Sequence, residues 1–224
     1  MTRWKNFITK YGHELFKASI LPIQLSDKDF KWIKKEVVKA KKEGVEYNKT
    51  LVGHIQEEYK MPGVSKSFND FLCAVASSHP VFQNVNRQLH LLSEDKPLFL
   101  HSFWVNYMKK HEFNPPHNHQ GLYSFVIFVK IPYDLKKEEN YFNKIRIVTS
   151  LEDESNTSKF TFLNTDYHGD IKTTVVPVDK SFEGKMFMFP SKQLHMVNPF
   201  YTSDNYRITV SGNLKLKVCH PAKH

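Results

Sequence analysis

A change of hydrophobic period at Pro97 constrains this chain more than any other feature. Beyond it the chain reads as seven extended segments: Leu98 to Lys109, Leu122 to Ile131, Lys144 to Leu151, Ser158 to Leu163, Thr173 to Val178, Lys185 to Phe189 and Tyr206 to Lys215. A period of two sends successive side chains to opposite faces of a strand. Turn residues punctuate the segments: Asn164 and Asp166, His168 to Asp170, Glu183 with Gly184, and Ser203 with Asp204. Many strands with no helical pattern between them predict an antiparallel sandwich or barrel.

Upstream, residues from about 26 to 92 read as helical. Ser26 and Asp29 make a capping box with an acid in place of the usual Glu. Phe30, Ile33, Val37 and Ala40 then share one helical face, and Gly44 suits the C-terminal stop. Ser67 and Asp70 repeat the start signal before Phe71, Leu72 and Val75, with Cys73 among them as helix core. Pro80 opens a further helix carrying Val81, Val85, Leu89 and Leu92, and a short strand from Ile20 to Leu25 precedes them all. The expectation is one α+β unit over residues 1–224. Helical support (about 20–95) packs on the outer face of one sheet of a β core (about 97–216).

With 224 residues, 40% apolar composition and 18 Phe, the chain can bury a real core and is not a disordered one. The opening MTRWKNFITK lacks the apolar region of a secretory leader, and the longest greasy run near the middle, Phe125 to Val129, is too short to span a bilayer. No membrane partner is expected. Cys73 and Cys219 are the two cysteines, which suits reduced thiols in a cytoplasm, a host cytoplasm if the source is viral. The net charge of +9 would suit a polyanion, but its lysine groups lie in Lys31 to Lys42, at Lys136 and Lys137, and in the tail after Leu214. The first group is the wet side of a helix, and no RNA motif or zinc-finger spacing accompanies it. Nucleic acid is therefore not the favoured partner.

Three stretches could carry chemistry. In Pro115-Pro116-His117-Asn118-His119, residues two apart in an extended chain project to one side, so both imidazoles can face one point. Imidazole suits iron, zinc, copper and nickel alike, and an HxH pair alone also fits surface coincidence. His195 follows a strand with Met186, Phe187, Met188 and Phe189 and a bend at Pro190, where a histidine capping a strand end is the plainer reading. Arg207 and Thr209 again lie two apart. An inward Arg in an apolar β region needs an anion, whereas an outward one would make a surface ion pair. Asn106, Tyr107 and Ser124 are secondary candidates, each also readable as an ordinary strand residue. His220 and His224 read as solvated tail residues and Glu152 to Glu154 as a loop.

The order HxH, then His195 about 76 residues on, then Arg207-x-Thr209 twelve residues later resembles the iron(II)/2-oxoglutarate oxygenases. Phe103-Trp104-Val105-Asn106-Tyr107, Ser124 to Pro132 and Phe189-Pro190-Ser191 are similar to small oxygenase-like proteins of bacteria and marine phages. Leu51 to Tyr59 resembles their helical part. The resemblance covers about residues 20–216. It implies a double-stranded β-helix (jelly-roll, cupin-like), with Fe(II) held by His117, His119 and His195. It also implies 2-oxoglutarate bound through its far carboxylate by Arg207 and Thr209, and hydroxylation of an unidentified small-molecule or protein substrate. One departure stands out: His119 occupies the place where the superfamily has Asp or Glu. Either three histidines form the site, or His119 is the first ligand and Gly121 marks a vacant acid position, as in the superfamily's halogenases, or the site is degenerate. Two rivals remain: a cupin-like three-histidine enzyme without 2-oxoglutarate, and a non-enzymatic phage or host-interaction module. Oligomeric state is not legible.

Overall fold

A computed structural model describes residues 2–83, 98–145, 156–166 and 168–217. Helix α2 (Asp27–Glu43) starts as its capping box dictates, with the Ser26 hydroxyl accepting from the Asp29 N–H, and stops at Gly44 in the left-handed region. Its buried residues Ile33, Val37 and Ala40 recur about one per turn, which leaves its lysines in water. Helix α3 (Lys66–Ser78) buries Phe68, Leu72 and Ala76, and its cap is Ser65, which accepts from Phe68 N, rather than Ser67. Cys73 is half-buried beside that core. Pro80 to Gln83 are helical, and the rest of that predicted helix, Val85 to Leu92, lies outside the described residues.

Two helices depart from the sequence reading. Helix α1 (Arg3–Lys17) was not foreseen: Trp4, Phe7 and Leu15 are buried on one face, and Trp4 meets Phe182 edge-on at 5.1 Å. Helix α4 (Leu135–Ile145) takes in the first two residues of the strand predicted from Lys144 to Leu151, whose remainder is outside the described residues, as are Glu152 to Glu154, His220 and His224.

Among the described residues, ten strands form two antiparallel sheets. The larger has the order β1-β8-β5-β10-β3-β2 and the smaller β4-β9-β6-β7. They are β1 (Leu21–Gln24), β2 (Glu58–Lys60), β3 (Leu98–Met108), β4 (Asn114–His117), β5 (Tyr123–Lys130), β6 (Phe160–Thr165), β7 (Ile171–Val176), β8 (Lys185–Pro190), β9 (Leu194–Val197) and β10 (Arg207–Leu216). Leu51 to Tyr59 is not helical: a 3-10 turn at Asn48–Thr50 leads through a loop into β2.

Alternation on β3 divides the core beyond Ser102, but a register shift opposite Asn213 and Leu214 brings Leu98 and Leu100 to the same side as Phe103, not the opposite one expected from a strict period of two. Phe103, Val105 and Tyr107 face outward onto α2 and α3, together with Phe125, Ile127, Met186 and Met188. Each large apolar side chain buried there contributes about 1.5–3 kcal/mol. Trp104, Asn106 and Met108 face inward to a cavity between the sheets. Val126, Phe128, Phe160, Phe162 and Phe187 pack in the inter-sheet core. This arrangement is the double-stranded β-helix with helices covering one sheet. Among the described residues no helix is long and apolar enough to cross a membrane.

Candidate active site

Strands β4 and β9 are neighbours in the small sheet, and their register sets His117 directly opposite His195. Past β4 the His119 N–H donates to the Ser191 carbonyl at 2.8 Å, which ties this stretch to the turn after β8. The three imidazoles thereby converge, their ligand-capable nitrogens all within 4.8 Å of one another. His117 Nδ1 lies 2.7 Å from the Pro115 carbonyl and His195 Nδ1 3.0 Å from that of Gln193. A ring nitrogen facing a carbonyl carries the proton, which frees the Nε2 lone pair of each ring for an ion. His119 Nε2 and His195 Nε2 are 3.2 Å apart. Two nitrogens each about 2.1 Å from one ion, at angles of about 90–110°, lie about 3.0–3.4 Å apart, so this spacing fits a shared metal.

Burial holds all three rings in the neutral, ligating form. It draws His119 down to about 3, with His117 adding to the effect, and draws His195 well below its usual value. His117 is lowered too, although the Pro115 carbonyl opposes the shift. Aromatic walls fix the rings: Phe160 stacks on His195 at 5.6 Å, Phe189 meets it edge-on at 5.0 Å, and Trp104 sits 5.7 Å from His119. Gly121 is required by the backbone at this point. Its φ is +135°, and a Cβ there would meet the Leu214 carbonyl at 2.9 Å and the Ser191 hydroxyl at 3.2 Å, pointing into β10.

Arg207 begins β10 and is 1% exposed. Its Nη1 donates to the Ser158 carbonyl at 3.1 Å, which also accepts from the Tyr133 hydroxyl at 2.9 Å. Its Nε and Nη2 have no partner among the described residues. Two buried, unanswered N–H groups of a guanidinium fork match a carboxylate. Thr209 shares the same face, and its hydroxyl oxygen accepts from Asn106 Nδ2 at 3.1 Å. Arg207, Thr209 and the three histidines all line one cavity of about 390 Å³.

The secondary candidates separate. Asn106 faces the cavity, whereas Tyr107 turns outward and donates to the Val37 carbonyl at 2.9 Å. Ser124 is buried in a network with Ser191 (2.9 Å) and Asn213 (2.7 Å). Sequence reasoning missed Glu58 altogether. It is 1% exposed, it lines the same cavity, and its Oε2 has no partner among the described residues. Burial, and secondarily the Glu112 charge, push its carboxyl up to about 7. An acid in a stretch with no clear period gave no signal of burial.

No curated protein matches the sequence. Among solved structures, a prolyl hydroxylase from Trichoplax adhaerens, in complex with a hypoxia inducible factor oxygen degradation domain peptide, superposes with a TM-score of 0.51. It is 12% identical, over 96% of this chain and 89% of that one. A Pseudomonas putida prolyl-4-hydroxylase gives 0.49 at 14% identity, over 91% and 95%. At such identities the likeness is one of fold. A family model described as "Putative 2OG-Fe(II) oxygenase" matches residues 102–213, half the chain, and that span holds the three histidines with Arg207 and Thr209. The chain belongs to this family of 2OG-Fe(II) oxygenases, whose cofactors are Fe(II) and 2-oxoglutarate.

Proposed function

We propose that the protein is a dioxygenase that hydroxylates a C–H bond of its substrate, with His117, His119 and His195 holding Fe(II) and with Arg207 and Thr209 binding 2-oxoglutarate. The observation that carries this reading is the buried Arg207 guanidinium, which lines the cavity of the histidines and keeps two N–H groups without a partner among the described residues. A three-histidine enzyme that works without 2-oxoglutarate has no use for such a group. When bound, Fe(II) would supply the redox chemistry with O2, one oxygen atom going to succinate as 2-oxoglutarate loses carbon dioxide and the other to the hydroxyl of the product.

The chain's own groups orient and shield. Arg207 Nε and Nη2 would donate to the far carboxylate of 2-oxoglutarate. Thr209 accepts from Asn106, so its single hydroxyl proton would be left to donate to the same anion. The Ser158 carbonyl and Tyr133 hydroxyl hold the guanidinium in place before the cosubstrate arrives. Phe160, Phe189 and Trp104 keep the imidazoles fixed and water away.

The test is 2-oxoglutarate binding together with uncoupled succinate formation. In the presence of Fe(II), 2-oxoglutarate should raise the Tm of the wild type. Arg207→Lys keeps the charge but loses the fork, so affinity should fall by roughly 10-fold or more. Equal and negligible shifts in both proteins, with no succinate formed, would sink the assignment.

A further inference from the structure

The inner face of the large sheet carries a row that runs across three strands. Glu58 on β2 stands opposite Asn106 on β3, and Asn106 stands opposite Thr209 on β10. The row therefore has an anion-binding end, where Thr209 lies beside Arg207, and an acidic end at Glu58. Two strand spacings of about 4.8 Å separate the ends by roughly 10 Å.

Two hydrogen-bond acceptors at the acidic end are buried without partners. Glu58 is 1% exposed and Asn106 6% exposed, and Glu58 Oε2 and Asn106 Oδ1 make no hydrogen bond among the described residues. The Asn106 amide is fixed with its oxygen free, because its Nδ2 donates to Thr209. Both residues line the cavity of the three histidines. Among the described residues, the charge that weighs on Glu58 is Glu112, of its own sign. Two orphaned acceptors in a water-poor wall are complementary to a group that only donates.

We propose that Glu58 and Asn106 form a recognition subsite for a cationic nitrogen group, an ammonium or a guanidinium, on the substrate oxidised in this cavity. The proposal rests on the dioxygenase reading and narrows it to substrates that carry such a group within reach of the oxidised carbon. It also assigns the two poles of the cavity different tasks. Arg207 takes the cosubstrate carboxylate, and Glu58 takes the substrate cation. The raised pKa of Glu58 fits this division, because a buried carboxylate without a cation is disfavoured and a bound cation would relieve it. Charge-assisted bonds of this kind also reject neutral analogues, which leave the acid unpaired.

The experiment uses the full chain loaded with Zn(II), a redox-silent stand-in, and 2-oxoglutarate. Saturation-transfer NMR would measure n-butylguanidinium against its neutral isostere n-butylurea, and n-butylammonium against n-butanol. The wild type should prefer each cation by at least about 10-fold. Glu58→Gln, which keeps the shape and removes the charge, should bring each pair to within about 3-fold while the Tm rise with 2-oxoglutarate is unchanged. The wild-type preference needs no variant, so the test stands even if Glu58→Gln folds poorly. No cation preference in the wild type, or the same preference in Glu58→Gln, overturns the subsite alone. A wild type that shows no Tm rise with 2-oxoglutarate overturns the reading on which the subsite rests.

Discussion

Replacing Glu58 by Gln should make stability less dependent on pH, by an amount the structure sets. The carboxyl is held at about 7 rather than the ordinary 4.5, first by burial and then by Glu112. The folded chain therefore keeps a proton that the unfolded chain has already released. That contribution is fully present below about 4.5 and is lost as pH rises through about 7. Proton linkage over those two values gives a loss of about 2–3 kcal/mol between about pH 5 and about pH 8, as an upper bound for a wholly native cavity. The Gln variant has no such proton, and any packing cost of the amide is the same at both pH values and cancels. Urea midpoints of metal-free wild type and Glu58→Gln at the two pH values would read the difference. The variant should gain on the wild type by about 2–3 kcal/mol as pH rises. The depressed histidines titrate in both proteins and drop out of the comparison. Parallel pH profiles, within about 0.5 kcal/mol, would show that Glu58 titrates as an ordinary acid and refute the reasoning.

Two further substitutions test the histidine cluster and the turn beside it. His195→Ala should abolish stoichiometric Fe(II) binding, measured by equilibrium dialysis under anaerobic conditions, whereas His13→Ala, on the exposed side of α1, should leave it intact. An unchanged iron content in His195→Ala would exclude the cluster as the iron site. Gly121→Ala should cost about 1–3 kcal/mol in chemical denaturation, from the strained positive φ and the clash with the Leu214 carbonyl. A neutral result would mean that β10 yields at that point.

The core was legible from residue 97 onward because inward and outward demands alternate there. Phe103, Val105 and Tyr107 meet helices while Trp104, Asn106 and Met108 meet the cavity, and a period of two records that division. The histidines were legible as a spacing, but their convergence depends on the β4–β9 register, which no local pattern states. Helix α1 escaped because its start reads as a basic tail, although Trp4, Phe7 and Leu15 already fall on one helical face. Strand β2 escaped for a different reason. Its three residues are too few to show a period, and Glu58 reads as solvent-facing until β3 is placed beside it. Strand β9 is nearly as short, and the sequence showed His195 only as a residue after a bend.

The placing of the three tryptophans gives the protein a built-in optical gauge. Trp104 lines the cavity, stacked on Tyr47 at 5.7 Å on one side and 5.7 Å from His119 on the other. Trp32 lies across the sheet against Phe68 and Phe103, and Trp4 packs on Phe182 and Phe187. Any occupant of the cavity changes the surroundings of one indole while the other two report only on folding. Intrinsic emission can therefore separate occupancy from unfolding in a single sample, with no label attached. A chain that keeps Trp104 and carries Phe at positions 4 and 32 would read the cavity alone.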